Sequence, residues 1–130
     1  MDGRMDDRMD GAGREEAAAL VAFWREAGRE RWFTKDDAFD RVFRERFAAL
    51  HFAAARRELD AWATTPEGAL ARILLLDQYP RNSFRGTGHM YATDPLARVA
   101  ADAAVAAGHD QGVEAGLRIF FYLPFAHSEL

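Results

Sequence analysis

Apolar side chains recur along this chain every three or four residues with polar ones between them, the mark of helices that each bury one stripe. No alternating run survives for more than a few residues, so strands are not expected. The first helix is predicted over about Arg14 to Ala27, with Leu20, Val21, Trp24 and Ala27 on its stripe and Gly28 capping its C-terminus. Thr34, Asp36 and Asp37 announce a second, because short polar side chains and carboxylates suit a helix N-terminus. Its stripe is Phe39, Val42, Phe43, Phe47 and Leu50, and it fades near Arg56 to Leu59. Thr65-Pro66-Glu67 gives the clearest start, for a third helix reaching at least Gln78. Thr93-Asp94-Pro95 opens a fourth, whose small-residue face is Leu96, Val99, Ala100, Ala103 and Ala107. A fifth segment, about Val113 to Leu123, carries Leu117, Phe120 and Phe121 at helical spacing and is expected to stop at Pro124. The fold class that follows is all-α, about five helices joined as antiparallel hairpins.

Length and composition change the picture in a few respects. The 130 residues make one domain, assigned to 14–130, while 1–13 (MDGRMDDRMDGAG) reads as a polar, disordered tail without a signal-peptide core. A net charge of -4, with Lys and Arg scattered among acids, offers no footprint for a phosphate backbone, so nucleic acid is not an expected partner. The absence of cysteine excludes disulfides, thiolate nucleophiles and zinc–thiolate sites. No run approaches the roughly 18 apolar residues of a membrane span, since Asp77 cuts off Ile73-Leu74-Leu75-Leu76; no membrane partner is expected and the cytoplasm is the default location.

Two stretches depart from plain amphipathic helix. The first is Leu76 to Arg85. Asp77 falls three and four residues after Leu74 and Ile73, on the stripe begun by Leu70, so a carboxylate is aimed at the core and needs a partner. Arg81 at i+4 is the local candidate, and Arg85 follows one turn later if the helix survives Pro80, with Gln78 and Asn82 alongside. In one reading Asp77 and Arg81 form a buried pair, and Gln78 and Asn82 satisfy backbone groups freed near Pro80. In the other, a free guanidinium grips a carboxylate or phosphate with Asn82 orienting it.

The second stretch is Leu123-Pro124-Phe125-Ala126-His127-Ser128-Glu129-Leu130. His127, Ser128 and Glu129 could supply a general base, a hydrogen-bonding hydroxyl and a carboxylate. The spacing lacks a second His or an i+4 ligand, so no metal is expected. The plainer alternative makes Ser128 the N-cap of a further helix.

The run Arg31-Trp32-Phe33-Thr34-Lys35-Asp36, the block from Ile73 to Thr87, and Leu123 to Glu129 together resemble the uncharacterised bacterial DUF924 family, over most of the chain from about Val21. The resemblance implies an all-helical, tetratricopeptide-like fold, with the family's motif residues falling on Asp77, Gln78, Arg81, Asn82, Arg85, His127, Ser128 and Glu129. It implies no activity and no cofactor, and no repeat of about 34 residues is visible in this chain. Family members continue past the His-Ser-Glu motif by at least one helix, so a chain ending at Leu130 is expected to be truncated, with an uncovered apolar surface that could pair copies of it.

Two functions remain open. One is a binding module with a polar pocket for a small anionic ligand or peptide, lined by Gln78, Arg81, Asn82, Arg85 and Ser128, with Trp24, Trp32, Tyr79 and Phe84 as aromatic anchors. The other is a small enzyme on an anionic substrate, with Asp77, His127 or Glu129 handling protons. Oligomeric state is not readable from these residues.

Overall fold

A computed structural model of the chain describes residues 10–128, and every regular element among them is helical. None of these helices is long and apolar enough to cross a membrane. Helix α1 (Gly11–Trp32) begins inside the stretch read as a tail. Asp10 caps it by accepting from the Gly13 N–H at 2.7 Å, and Gly13 is buried. Positions 1–9, the rest of that expectation, lie outside the described residues, as do Glu129 and Leu130.

Gly28 interrupts α1 with φ 72°, a conformation that glycine adopts without steric cost, but helix resumes beyond it. The break folds Trp32 back, so that its indole N–H donates to the Trp24 carbonyl at 2.7 Å and the two rings stack with centroids 6.0 Å apart.

Helix α2 (Asp37–Ala55) starts at Asp36, whose carboxylate accepts from the Phe39 N–H at 3.0 Å. Its buried face is Phe39, Asp40, Phe43, Phe47, His51 and Ala54. The i+4 row of rings sets this face and carries His51 inward, while Val42, expected on it, is 49% exposed. Helix α3 (Pro66–Ile73) opens as predicted, with the Thr65 hydroxyl accepting from the Gly68 N–H at 3.0 Å.

Beyond α3 the helical run reaches Gln78, as expected, and continues past it. A π-helical turn (Leu74–Gln78) leads directly into α4 (Tyr79–Ser83), with Pro80 inside the run. Proline donates no N–H, so a carbonyl four or five residues earlier, on Leu76 or Leu75, loses its usual partner. Both are buried and both receive a side chain instead. His51 donates Nδ1–H to the Leu75 carbonyl at 2.8 Å, and Thr93 donates its hydroxyl to that of Leu76 at 2.6 Å. Arg81 adds a bond of 2.8 Å to the Asp77 carbonyl.

Thr93 was expected to cap α5 (Asp94–Ala106), and it makes no side-chain cap bond because its hydroxyl is spent on Leu76. The buried face of α5 is Ala97, Ala100, Ala101 and Ala104, rotated from the expected set, with Val99 62% exposed. Helix α6 (Ile119–His127) follows a short 3-10 turn at Ala115–Leu117 and runs through Pro124 instead of ending there. Burial of Phe120, Phe121 and Pro124 offsets the one helical bond that the proline forfeits. Ser128 therefore sits at the C-terminal cap of α6 and not at the start of another helix.

The run from α3 through α4 is the central rod. Helix α1 lies along α3, α2 along the π-turn and α4, α5 along α3, and α6 along α5. Leu70, Ile73, Leu74, Leu75, Leu76 and Tyr79 are within 1% of complete burial on that rod. Aromatic contacts join α1 to α2, with Phe23 stacked on Phe39 at 5.3 Å and Trp24 against Phe43 at 5.3 Å.

Two outcomes follow. Thr93→Val keeps the shape but leaves the Leu76 carbonyl without its donor, and urea unfolding should show a loss of about 1–3 kcal/mol. His51 is fully buried, and burial is the main cause holding its pKa below the ordinary value, with His89 pushing the same way against the Leu75 bond. The unfolded chain therefore takes up the proton first. The contribution of His51 is intact above about pH 6.5 and declines as pH falls from there toward the folded pKa. Urea midpoints measured from pH 7.5 to 5.5 should slope downward more steeply in the native chain than in His51→Phe.

Candidate functional site

Asp77 enters the core because the π-turn places it on the inward side of the rod, and only 1% of its side chain is exposed. Three donor atoms make four hydrogen bonds to that residue. Gln78 Nε2 donates to Oδ2 at 3.0 Å, and Oδ1 receives Arg81 Nη1 at 3.2 Å and His127 Nδ1 at 2.8 Å, while the same Arg81 nitrogen bonds the Asp77 carbonyl. A buried carboxylate is tolerable on such terms, its lone pairs met by directed donors.

Arg81 is claimed from both sides. Besides Asp77 it forms a two-pronged pair with Asp94 at 2.8 and 2.9 Å, and its guanidinium lies 5.5 Å from the Tyr91 ring centroid. It is thus a structural clamp between α4 and the start of α5. Arg85 does not extend the same row. It turns to Asp40 on α2, donating Nε–H at 2.9 Å, beside Asn82, whose amide donates to the other oxygen at 2.9 Å. The terminal nitrogens of Arg85 hold no protein partner among the described residues, and its side chain is 37% exposed. Gln78 and Asn82 thus serve carboxylates, and the backbone near Pro80 is satisfied by His51, Thr93 and Arg81 instead.

These groups floor a cleft of about 300 Å³. Gln78, Arg81, Asn82, Arg85 and His127 line its polar side, and Trp32, Phe33, Met90 and Leu123 its apolar side, with Thr34 and Lys35 at the rim. Lys35, Asn82 and Arg85 also line an adjoining cleft of about 450 Å³, where Arg41 and Arg44 of α2 add two further cations beside Asp37 and Asp40. The break at Gly28 delivers Trp32 and Phe33 to this place, and the Arg31–Asp36 connection delivers Lys35.

Most of the sequence-derived site converges: Asp77, Gln78, Arg81, Asn82, Arg85 and His127 share one region. Ser128 does not join them. Its hydroxyl donates to the Phe125 carbonyl and accepts from Arg98 on α5, away from the cleft. Glu129 lies outside the described residues. Of the four aromatic anchors, Trp24 and Tyr79 are fully buried, and Phe84 packs on the His51 and His89 rings; Trp32 alone lines the cleft. Sequence reasoning missed Asp40 and Asp94. Asp40 sits next to Phe39 and three before Phe43, so the ring row could have placed it inward, whereas Asp94 looked like an ordinary first-turn acid.

Comparison with known proteins bears on the family and the fold. No curated protein matches the chain. A solved structure of a protein of unknown function from Agrobacterium tumefaciens is 61% identical, with a TM-score of 0.86 over 88% of this chain and 65% of that one. The chain thus spans just under two thirds of that protein's length. The model of DUF924, described as a bacterial protein of unknown function, matches residues 20–130, and the chain belongs to that family.

Proposed function

We propose that this chain is a binding module whose cleft takes a small anionic molecule. The supporting observation is the state of Arg85: one nitrogen anchors it to Asp40 while the two terminal ones are left to a ligand, in a fork suited to a carboxylate or phosphate. Lys35 stands at the same rim, with a single exposed contact to Asp37 at 3.1 Å. The volume is at the lower end of small-molecule pockets, and a polar floor facing an apolar wall fixes orientation as such pockets do. A peptide would need a longer groove, so a single small molecule is the better fit. Tetratricopeptide-like stacking of the helices in a bacterial, cytoplasmic protein is the setting in which we place this role.

A second reading, a small enzyme on an anionic substrate, draws on the contact between Asp77 and His127, which leaves the far nitrogen of the imidazole toward the cleft. It requires turnover that disappears when His127 is replaced, whereas a binding module retains its ligand unchanged.

Thermal unfolding against a panel of phosphates and carboxylates tests the main reading. A ligand at a hundredfold excess over its Kd should raise the midpoint by on the order of 10 °C, and Arg85→Ala should abolish that rise, with a smaller loss of the ligand-free midpoint than Arg81→Ala because Asp40 keeps its bond from Asn82. An anion-induced rise that persists in Arg85→Ala refutes the assignment. Arg81→Ala behaves in the opposite sense: it leaves Asp77 and Asp94 without their shared cation, and should cost about 3–5 kcal/mol of stability before any ligand is added.

A further inference from the structure

The chemistry of the ligand can be narrowed from the tautomer of His127, an inference that rests on the anion-binding reading of the same cleft. Asp77 Oδ1 lies 2.8 Å from His127 Nδ1, and this carboxylate also accepts from Gln78 and Arg81. A carboxylate held in that way is an acceptor, so the proton of the contact resides on Nδ1, and in the neutral imidazole Nε2 keeps its lone pair. Nε2 has no partner among the described residues, and His127 lines the cavity together with Gln78 and Arg85.

In its neutral form the imidazole presents a lone pair beside Arg85 and Lys35, and an anion that carries a proton of its own meets that lone pair without the imidazole first being charged. Carboxylates and sulfate monoesters are fully ionised near neutral pH and have none to bring. A phosphate monoester loses its second proton near pH 6 and can arrive with that proton or share it. The apolar wall of Trp32, Phe33, Leu123 and Met90 asks in addition for an organic substituent, which inorganic phosphate lacks.

We propose that the cleft is specific for a phosphate monoester of a small apolar or aromatic alcohol. One proton is shared between a phosphate oxygen and His127 Nε2, Arg85 and Lys35 take the remaining oxygens, and the organic group lies on the apolar wall. Only an O–H and an N–H bond are involved, and no further reactant is needed. The charged groups around His127 are compatible with this exchange. Asp77 meets it from the π-turn and Arg81 from α4, Lys35 and Arg85 line the same cleft, and Asp94 and Arg98 of α5 are bound to Arg81 and Ser128.

Phenyl phosphate and phenyl sulfate share their ring and shape and differ in the available proton and in charge, so titration calorimetry of the whole chain at pH 7 with each, in the native chain and in His127 variants that leave the charge difference untouched, is the decisive experiment. Phenyl phosphate should bind at least about tenfold more tightly, the worth of one hydrogen bond involving a charged group. His127→Asn retains an amide donor toward Asp77 and loses Nε2, so it should erase about tenfold of that preference while still binding both anions. His127→Gln, which returns a polar atom near the Nε2 position, should recover part of it. Inorganic phosphate should bind more weakly than phenyl phosphate in every variant. Equal affinity for the two phenyl esters, or a preference undiminished in His127→Asn, overturns the phosphate assignment and leaves the anion cleft standing. Absence of binding by either ester to the native chain overturns both readings.

Discussion

A buried proline within the central helical run governs this structure. Pro80 offers no N–H to the carbonyls behind it, and no water reaches them, so their partners must come from other parts of the chain. The helix widens into a π-turn, and side chains from three places close the gap: His51 from α2, Thr93 from the start of α5, and Arg81 from the next turn. His51 and Thr93 each tie a neighbouring element to the central rod at a fixed register, where apolar packing alone would tolerate sliding.

The candidate site grows out of the same turn. Its widened geometry sets Asp77 inward, and an ionised carboxylate there recruits Arg81, Gln78 and His127. Arg81 in turn draws in Asp94, which orients the entry to α5. What remains outside these pairings, one face of Arg85, Lys35 and the outer nitrogen of His127, belongs to residues that line a single cleft. Polar groups spent on architecture and polar groups without a protein partner among the described residues are thus neighbours on the same few residues.

Much of this was legible in the amino-acid order. Helical periodicity, the Thr65-Pro66 start and the inward aim of Asp77 depend on residues three or four apart, and the i+4 partnership with Arg81 follows from the same spacing. The boundary expected at Pro124 was not, and the amino-acid order leaves passage of the helix through Pro80 open. Both Pro80 and Pro124 lie within helices because tertiary burial outweighs the lost bond, and burial is invisible to local rules. Stripes drifted for a similar reason: on α2 and α5 the face that packs is chosen by the partner helix. The long-range contacts were also beyond reach, since His127 meets Asp77 across 50 positions and Asn82 meets Asp40 across 42. Thr93 shows the difficulty best. Its place before Asp94-Pro95 is that of a cap, and only the distant proline explains why its hydroxyl turns elsewhere.

The kink at Gly28 has an optical consequence. It lays two of the three tryptophans of the chain nearly parallel, planes 14° apart and centroids 6.0 Å apart, with Trp24 sealed in the core and Trp32 forming part of the cleft wall. Indole transitions at that separation couple, so the pair acts as one chromophore with one end inside the protein and the other at the place a ligand would occupy. Near-ultraviolet circular dichroism and intrinsic emission therefore look directly into the cleft, and the protein needs no attached label to report on its own occupancy.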